Sequence, residues 1–404
     1  MKNNKKIVIL GVGYVGLPTA IMLARASYKV IGVDLKKEIV KALNEGILES
    51  LSIKEKELEK IFKEKNVREN LKGSNTPVPA DVFIICVPTP LHKRRKHADL
   101  SYVISAIKSI LPHVKKGNLI IIESTIPPLT TREVIKPLIE EKTNLKVGED
   151  IYLAHCPERL LPGNAFKEIV NNTRIIGGIN KTSALMAKNI YESFVKGEIY
   201  ITDDVTAEMV KLMENTYRDV NIALANEFSL IADKIGVDIK KCISLANKHP
   251  RVNILNPGIG VGGHCIPVDP WFLFEVDPED ALLIETARRI NDKMPFEVAT
   301  KIRRVLKNVK NPKIIALGIT YKPNVSDTRE SPALKIIEIL KNEGYDIKAY
   351  DPLVKGYEYS NIVDICKNVD CLLILVGHDK IKRDLGKNLK KILSVMKSNI
   401  ILTF

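Results

Sequence analysis

The chain has 404 residues, a length typical of two or three domains. Its 45% of hydrophobic and 27% of charged residues predict a folded, soluble protein with sizeable cores rather than a disordered chain. No apolar run approaches the ~20 residues that span a bilayer, and the four apolar residues before Gly11 are too few for a signal peptide. We therefore expect a cytoplasmic protein without a membrane partner.

The net charge of +14 suits an anionic partner such as nucleic acid, a lipid surface or a phosphate-bearing ligand. The densest basic segment, HKRRKH at 92–97, has no interleaved aromatic residue. Nucleic-acid binding usually combines basic side chains with aromatic ones, so we do not expect a nucleic-acid partner. A solvated lysine-rich surface and a phosphate-bearing ligand both account for the charge, and the basic segment itself has no assigned role.

The six cysteines are widely spaced, without a C-x-x-C pair or a Cys/His ladder. The sequence therefore predicts neither a disulfide framework nor a metal site. Four cysteines lie in apolar contexts and are predicted to be core residues: Cys86, Cys242, Cys366 and Cys371. Cys156 and Cys265 lie in other contexts and are candidates for chemistry.

The strongest local signal is a dinucleotide-binding fingerprint near the N-terminus. An apolar strand, a glycine turn, a helix and a second strand ending in an acid contain Gly11, Gly13, Gly16 and Asp34. The glycines permit a tight turn, the approach of a pyrophosphate and helix–strand packing, and the helix N-terminus favours phosphate. Asp34 would bind the adenosine ribose hydroxyls and repel a 2′-phosphate, so NAD is expected rather than NADP.

Two later strands end in the polar turns VPTP and ESTIPP. Because ligands of open α/β sheets bind at the carboxyl ends of strands, Thr89 and Thr125 are candidate cofactor-lining residues. Simple turn or cap roles remain an alternative for both threonines. A further strand runs into the loop CPERLLPG, with Glu158 and Arg159 at its mouth.

The longest helical signal runs from Asp203 to Ile235, with Thr202 and Asp203 as capping candidates and Gly236 as its end. A helix of this length usually links two domains or forms an oligomer interface. Three polar residues at positions i, i+4 and i+7 share one of its faces: Lys211, Asn215 and Arg218. That face is either solvated or lines a cleft.

Residues 248–272 contain four glycines and four prolines, which excludes a regular helix or a central strand and predicts an ordered, functional loop. NAD implies hydride transfer, and Lys211 is a candidate base if burial favours its neutral amine. Cys265 could attack an aldehyde to give a thiohemiacetal, and a second hydride would leave a thioester for hydrolysis. Asp269 could orient the water. A small apolar residue in a tight loop is the alternative for Cys265, and the adjacent His264 is not the first choice as its base.

The remaining chain predicts a second open α/β domain, with a helix at 281–309 and strands at 313–318, 347–350, 371–377 and 399–403. Ser331 and Pro332 are predicted to open a helix at 333–342. This half lacks the glycine fingerprint, so a second NAD is not required.

Seven motifs together resemble the UDP-glucose/GDP-mannose dehydrogenase family over nearly the whole chain. They are GVGYVGLP, VPTP, ESTIPP, CPERLLPG, TAEMVKLMENTYRDVNIALANE, PGIGVGGHCIPVD and GITYKPNVSDTRESP. The stretch NKHPRVNILNPG most resembles the branch that oxidises UDP-N-acetyl-D-mannosamine (UDP-ManNAc). There are two alternatives. One is the same chemistry on UDP-N-acetylglucosamine or, less favoured, on UDP-glucose, and the other is a non-catalytic protein that binds a nucleotide sugar. Pro162 stands where relatives acting on UDP-glucose have a second acid, which disfavours that substrate.

The resemblance implies an α/β fold of two Rossmann-like open parallel-sheet domains, joined by a long central helix and a helical dimerisation core. The implied domains are an NAD-binding domain at 1–202, a central domain with the catalytic loop at 203–305 and a UDP-sugar domain at 306–404. The implied reaction oxidises C6 of the sugar to a carboxylate, using two NAD⁺ and one water, in a homodimer or a higher homo-oligomer.

The resemblance also implies a role for each matching residue. Cys265 is the nucleophile, Lys211 the acid/base and oxyanion-stabilising group, and Asn215 lies beside it. Asp269 would act through an ordered water, and Glu158 and Thr125 would complete the site for hydrolysis of the thioester. The cofactor residues are Gly11, Gly13, Tyr14, Val15, Gly16, Asp34, Thr89, Thr125 and Arg329. The substrate residues are Arg159, Leu160, Lys211, Asn215, Arg218, His249, Arg251, Gly262, Tyr321 and Lys322, some of them in the partner subunit. No metal is implied.

Overall fold

The computed structural model describes residues 5–47, 55–92, 96–160 and 164–404. Pro162 and the middle of the basic segment, 93–95, lie outside the described residues. Two compact units divide the chain. Unit 1 comprises the chain up to Glu214 together with Trp271–Asp277, and unit 2 comprises Asn215–Pro270 and Pro278–Phe404.

Unit 1 is built on an open sheet whose central strands are short apolar runs buried on both faces. Its strands are β1 (Lys6–Leu10), β2 (Lys29–Val33), β3 (Leu71–Ser74), β4 (Val82–Ile85), β7 (Leu119–Ile122), β8 (Tyr152–His155), β9 (Arg174–Gly178) and β10 (Ile199–Asp203). β5 (Leu91–His92) and β6 (His97–Ala98) form a separate antiparallel ribbon.

Within the described residues, this sheet has the strand order β10-β9-β8-β7-β4-β1-β2-β3. All neighbouring strands are parallel except β8 and β9, which pair antiparallel through Ala154–Gly178 and His155–Gly177. The sheet is therefore mixed near one edge, as is common in large α/β sheets. The central strands β1, β4 and β7 are parallel neighbours. The fingerprint loop and the two polar turns, which follow these strands, therefore lie at the same edge of the sheet.

Helices cover the two faces of this sheet. They are α1 (Gly16–Arg25), α2 (Lys37–Glu45), α3 (Lys56–Phe62), α4 (Lys65–Asn70), α5 (Ser101–Ile110), α6 (Lys136–Thr143), α7 (Ala165–Asn171) and α8 (Lys181–Tyr191). A 3₁₀ turn at Leu111–His113 and a π-helical turn at Thr130–Ile135 adjoin α5 and α6. One apolar cluster around Ile9 and Leu17 and another around Val8 and Ile120 form its cores.

The long helix α9 (Asp204–Ile235) begins in unit 1 and continues into unit 2. Its predicted start is confirmed, because the Asp203 carboxylate accepts hydrogen bonds from the Thr206 N–H (3.0 Å) and hydroxyl (2.6 Å). Gly236 follows with φ +74°, so the left-handed conformation ends the helix as predicted.

Unit 2 continues with α10 (Ile239–Ala246), α11 (Asp269–Phe274, which runs into unit 1) and α12 (Leu282–Leu306). Its α/β half contains β11 (Lys313–Leu317), α13 (Pro332–Asn342), β12 (Asp346–Tyr350), α14 (Ile362–Ile365), β13 (Cys371–Ile374), α15 (Asp379–Val395) and β14 (Ile400–Thr403). The strands form an all-parallel sheet in the order β12-β11-β13-β14. The predicted α/β class with two open, mostly parallel sheets and a long central helix is confirmed.

Three local predictions need correction. The segment 248–272 is irregular as expected up to Val268, but its last residues already belong to α11. Ser331 precedes α13 as predicted, yet its hydroxyl donates to the Thr320 carbonyl (3.1 Å) instead of capping the helix. Cys242 is exposed and Cys156 fully buried, the reverse of the expectation, because the apolar face of α10 faces outward and Cys156 follows a central strand.

The other predicted core cysteines, Cys366 and Cys371, are buried, and Cys86 is half-buried. In the part of the chain that the structure describes, no helix is both long and apolar enough to cross a membrane.

Candidate active site

The fingerprint loop between β1 and α1 has the geometry that a dinucleotide requires. Gly11 adopts φ +89°, and a Cβ there would lie 2.6 Å from the Cys86 carbonyl oxygen, so the turn demands glycine. Gly13 faces open space, where a Cβ would meet no atom within 4 Å. That opening, next to the start of α1, is room for a pyrophosphate. The residues present therefore fit NAD.

The remaining predicted cofactor residues of unit 1 border the same edge of the sheet. Val15 is the N-cap residue of α1, and no side chain caps the helix there, while the Leu17 N–H donates to the Gly13 carbonyl at 3.1 Å. Asp34 follows β2 and accepts hydrogen bonds from the N–H groups of Val12 (3.1 Å) and Lys36 (3.0 Å). The half-buried Tyr14 packs against the apolar core.

Thr89 follows β4, which pairs with β1, and Thr125 follows β7, which pairs with β4. Both are half-buried, and the Thr89 hydroxyl oxygen is buried without a hydrogen-bond partner among the described atoms. A buried hydroxyl without a partner is costly, so this position suits a ligand that donates or accepts a hydrogen bond.

Lys211 lies on α9, buried in unit 1 near the end of β8. Burial lowers the pKa of His155, the last residue of β8, to about 3, and the positive charge of Lys211 adds to this effect. His155 is therefore neutral beside the lysine. The same strand continues through Cys156 to Glu158, so unit 1 brings the predicted base and the predicted water-handling acid to one strand end.

Glu158 is buried and held through both carboxylate oxygens. One oxygen accepts from the N–H of Arg159 (2.7 Å), and the other pairs with the buried guanidinium of Arg174. Arg174 begins β9 and also lies 3.8 Å from a carboxylate oxygen of Glu123, while its guanidinium stacks on the Tyr191 ring at 4.6 Å. An arginine thus bridges two buried acids.

Glu123 belongs to the ESTIPP turn and makes three further hydrogen bonds. It accepts from the Tyr191 hydroxyl (2.6 Å), the Cys86 thiol (3.0 Å) and the Thr19 hydroxyl (3.3 Å). Burial raises the pKa of Glu123, which the positive charge of Arg174 opposes. We call Glu123, Arg174 and Glu158 the buried acid–arginine network. Arg174 was not among the predicted site residues, and its signal in the sequence is a cation at the start of an apolar strand.

The predicted substrate residues Arg159 and Leu160 continue the chain after Glu158. Arg159 donates to the Glu214 carboxylate (2.6 Å) on α9 and to the Thr173 carbonyl. Leu160 packs against the apolar core of unit 1. The guanidinium is therefore fixed beside α9 by its own unit.

In unit 2, the predicted nucleophile Cys265 lies half-buried in the last turn before α11. Its carbonyl accepts hydrogen bonds from the N–H groups of Val268 (3.0 Å) and Asp269 (2.8 Å), which close the turn. The Asp269 carboxylate accepts from the Asn215 side-chain amide at 2.6 Å, and both side chains are buried. The structure thus joins two of the predicted catalytic residues directly and places the third in the adjoining turn.

Three asparagines hold the segment that leads to Cys265, and the sequence analysis did not identify them. Asn221 and Asn226 of α9 accept from the N–H groups of Leu255 (3.1 Å) and Gly258 (2.8 Å). Asn247 pairs with both backbone groups of Ile254, at 2.8 and 2.9 Å. Side-chain amides thus replace a backbone ladder in this irregular segment. Their signal in the sequence is their position flanking a proline- and glycine-rich loop.

The same segment contacts the loop after β11. Gly262 is buried, and a Cβ there would lie 2.5 Å from the Glu330 carbonyl and 2.9 Å from the Tyr321 Cβ. The Gly263 N–H donates to the Arg329 carbonyl (3.1 Å), and the Arg329 guanidinium pairs with Asp327 at 2.6 Å. Unit 2 therefore brings together the Cys265 segment and the loop that carries Tyr321, Lys322 and Arg329.

Three predicted substrate residues lie at the surface of unit 2. Arg218 is exposed on α9, unlike Lys211 and Asn215, so the three polar residues of that helix do not share one environment. His249 and Arg251 are exposed in the segment after α10, where the His249 ring accepts from the Arg251 N–H at 3.4 Å. These side chains are accessible to a ligand or to another subunit.

The chain matches three domains of one family in order. Residues 5–195 match the NAD binding domain of the UDP-glucose/GDP-mannose dehydrogenase family, 205–293 its central domain and 315–403 its UDP binding domain. A UDP-N-acetyl-D-mannosamine dehydrogenase of Methanocaldococcus jannaschii is 50% identical over 403 residues, 99% of this chain and 92% of that protein.

Two further proteins frame the substrate question. The solved structure of a UDP-D-ManNAc dehydrogenase from Pyrococcus horikoshii superimposes with a TM-score of 0.91 at 45% identity, covering 98% of this chain and 94% of that one. An NDP-N-acetyl-D-galactosaminuronic acid dehydrogenase of Ralstonia solanacearum is 41% identical over 393 residues, 94% of this chain and 92% of that protein.

Proposed function

Because the chain belongs to the UDP-glucose/GDP-mannose dehydrogenase family, and is thus an NAD-dependent enzyme acting on a nucleotide sugar, we propose that it oxidises UDP-ManNAc at C6 to UDP-N-acetyl-D-mannosaminuronate. The observation that carries the proposal is the Cys265 turn, in which Asn215 and Asp269 are bonded beside a half-buried thiol. Relatives sharing about half of the sequence and bearing that substrate in their names support the choice of sugar.

Held at the fingerprint loop of Gly11 and Gly13 and at Asp34, NAD would supply the acceptor for the hydride that leaves the C6 alcohol in the first oxidation. Lys211 takes the alcohol proton and then stabilises the oxyanion. Lys211 is buried beside His155, whose pKa burial lowers to about 3. The resulting aldehyde carbon is the electrophile for the Cys265 thiolate.

Attack by Cys265 gives a thiohemiacetal, and the loss of a second hydride leaves a thioester on this cysteine. Water then releases the carboxylate. We assign Asp269, which accepts a hydrogen bond from Asn215, to the orientation of this water, and Glu158 and Thr125 to the hydrolysis. Glu158 is paired with the buried Arg174, and we propose that its carboxylate positions the water.

The nucleotide sugar is held, in this proposal, by cations and backbone around its diphosphate. Arg159, Arg218 and Lys322 supply positive charge, since a guanidinium offers two parallel donors to a phosphate. Leu160, Gly262 and Tyr321 provide surface for the ligand, and His249 and Arg251 act from the exposed segment, including toward a second subunit. We assign Arg329, whose guanidinium pairs with Asp327, to the cofactor.

The test counts NADH formed per sugar with excess NAD and limiting UDP-ManNAc, with UDP-N-acetylglucosamine and UDP-glucose in parallel. We expect two NADH from UDP-ManNAc and none from the other two sugars. Two NADH from another sugar, and none from UDP-ManNAc, would keep the chemistry and refute the substrate. One NADH would mean that the aldehyde is released, which refutes the thioester step.

Cys265→Ser should abolish acid formation while NAD binding is retained. Cys242→Ser is the matched control, because Cys242 belongs to the same unit but lies outside the Cys265 turn, and serine closely matches its size in the apolar groove of α9 and α10. We expect the control to keep two NADH per sugar. Full acid production by Cys265→Ser would refute the covalent mechanism.

We further propose that the central segment forms a homodimer. An exposed apolar groove lies where α9 ends and α10 begins, lined by Phe228, Ile231, Ala232, Ile235, Val237, Ile239, Cys242, Ile243, Ala246 and Ile254. Ile231 is 51% and Ile235 68% exposed, an unusual amount for side chains of a monomer that cluster together. A second copy of the chain is the occupant that we propose.

Ile231→Glu should convert the dimer to a monomer in size-exclusion chromatography with light scattering. Leu389→Glu, an exposed leucine on α15, is the control and should leave the dimer intact. A wild-type monomer would refute the proposal. The domain limits at 202/203 and 305/306 and the cytoplasmic location stay predictions, and limited proteolysis near those limits would test the first.

A further inference from the structure

A buried carboxylate–histidine pair lies at the carboxyl edge of the second sheet. Asp351 follows β12 and His378 follows β13, and neither side chain reaches solvent. The Asp351 carboxylate lies 2.9 Å from His378 Nε2 and accepts from the N–H groups of Ile319 (2.8 Å) and Leu353 (2.8 Å). Burial raises the pKa of Asp351, but the hydrogen bonds from His378 and from the backbone outweigh it, so the pKa is lowered.

The hydrogen bonds define which nitrogen of His378 carries the proton. The Asn324 N–H points to His378 Nδ1 at 2.8 Å, and a backbone N–H can only donate, so Nδ1 is an acceptor. Nε2 therefore carries the hydrogen that Asp351 accepts, with the Thr320 hydroxyl oxygen 3.1 Å away. The imidazole is neutral, and the carboxylate fixes its tautomer.

These bonds reach the backbone of Lys322 and of Asn324, two residues later. The Thr320 hydroxyl donates to the Lys322 carbonyl at 2.9 Å, and His378 holds the Asn324 N–H. The Asn324 side chain in turn pairs with Asp379, the residue after His378. The loop 319–324, which presents Tyr321 and Lys322 after β11, is thus fastened to the segments that follow the two neighbours of β11, the strands β12 and β13.

The NAD-binding half shows what is unusual about this arrangement. Gly11 and Gly318 both have positive φ after the first strand of their sheets, and Asp34 and Asp351 both follow the second strand. Asp34 accepts from Val12 N–H and Lys36 N–H just as Asp351 accepts from the equivalent positions. Asp34 remains partly exposed, whereas Asp351 is fully buried. Asp34 can therefore contact a ribose, whereas His378 covers the equivalent acid, Asp351.

We propose that Asp351 and His378 are positioning residues for nucleotide-sugar binding: they fix the loop 319–324 and thereby place Tyr321 and Lys322 against the uridine diphosphate. This inference rests on the proposed substrate role of Tyr321 and Lys322. Neither Asp351 nor His378 touches the ligand, because both are buried beneath the loop. Their loss affects the binding of the nucleotide and leaves NAD binding unchanged.

The test measures the Kd for UDP by calorimetry and the Kd for NADH by fluorescence in the full-length protein. UDP is the probe because it is common to all the candidate sugars. His378→Ala should weaken UDP about tenfold or more, the effect of one or two lost hydrogen bonds, and leave NADH within twofold. His378→Asn keeps an acceptor for the Asn324 N–H, so it should recover part of the affinity. An unchanged Kd for UDP in both variants would refute the inference.

Asp370 provides the matched control for a structural effect. It is also a buried carboxylate of this sheet, but it lies at the amino end of β13 and accepts from the Lys313 N–H at 3.0 Å. Asp351→Asn should weaken UDP, whereas Asp370→Asn should not. Equal losses in the two variants would show a general destabilisation of the domain and refute a positioning role.

Lys322→Met separates this inference from the proposed function. Weaker UDP binding in Lys322→Met, with normal binding in His378→Ala, would refute the positioning role alone. Normal UDP binding in Lys322→Met would refute the substrate role of the loop, and with it the inference. If His378→Ala does not accumulate as folded protein, His378→Asn decides, because it keeps the Asn324 contact while losing the donor to Asp351.

Discussion

Arg174→Met should strongly destabilise unit 1, because it removes the only cation of the buried acid–arginine network. Arg174 is 3% exposed, and Glu123 and Glu158 are 2% and 9% exposed. Water therefore cannot solvate the two carboxyl groups once the guanidinium is removed. Removing one partner of a buried ion pair typically costs about 3–5 kcal/mol. Methionine preserves most of the volume, so the loss reports on charge more than on packing.

The pH dependence of that loss has a defined sign. Burial already raises the pKa of Glu123, and removing Arg174 raises it further. A carboxyl group with a raised pKa binds its proton more tightly in the folded state, so folding is favoured as pH falls. The deficit of Arg174→Met should therefore be largest near pH 8 and shrink toward pH 5. Glu123→Gln in the same chain should restore part of the stability at pH 8.

The assay is urea unfolding followed by the fluorescence of Trp271, the single tryptophan of the chain, which belongs to unit 1 like Arg174. Arg25→Met is the matched control, since the Arg25–Glu64 pair is about 40% exposed on both sides and should contribute less than about 1 kcal/mol. A deficit below about 1 kcal/mol for Arg174→Met, or one independent of pH, would refute the reasoning about buried charge.

Three further predictions concern the two ligands and the cysteines. Asp34→Ala should weaken NAD at least about tenfold more than UDP, and equal losses would contradict the assignment of the N-terminal half. In a Cys242→Ala background at pH 8, iodoacetamide should label Cys265 first, because burial raises the pKa of Cys156 to about 12 and protects the other thiols; peptide mass spectrometry reads the result. Asn247→Ala leaves both backbone groups of Ile254 unpaired, so kcat should fall about tenfold with the Kd for NADH unchanged.

Much of the fold follows from local patterns in the sequence. Apolar runs of four or five residues, bounded by glycine and polar turns, predict the inner strands, because a strand buried on both faces of a sheet is apolar at successive positions. The ends of α9 were predictable as well, since Asp203 and Gly236 are local chemical signals that act within one turn. The cofactor loop was predictable for the same reason, because its geometry depends on glycines close together in the chain.

Whether a side chain is exposed or buried was less predictable where it depends on which other elements pack against its own helix or strand. Cys242 looked like a core residue because α10 is apolar on one side, but that side is exposed in the groove with Ile231. Arg218 was expected to share the environment of Asn215, yet one side chain is exposed and the other is bonded to Asp269. Helical spacing gives the direction of a side chain, not the neighbours that it meets.

The sequence by itself determined the α/β class, the NAD fingerprint and the motifs that carry the family resemblance, because these are encoded by residues near one another in the chain. Only the tertiary structure decided that Arg174 would join Glu123 to Glu158, or that His378 would close over Asp351. Those contacts span up to 51 residues of chain and form where parallel strands end side by side. Their partners are selected by sheet order and burial, which no local pattern records.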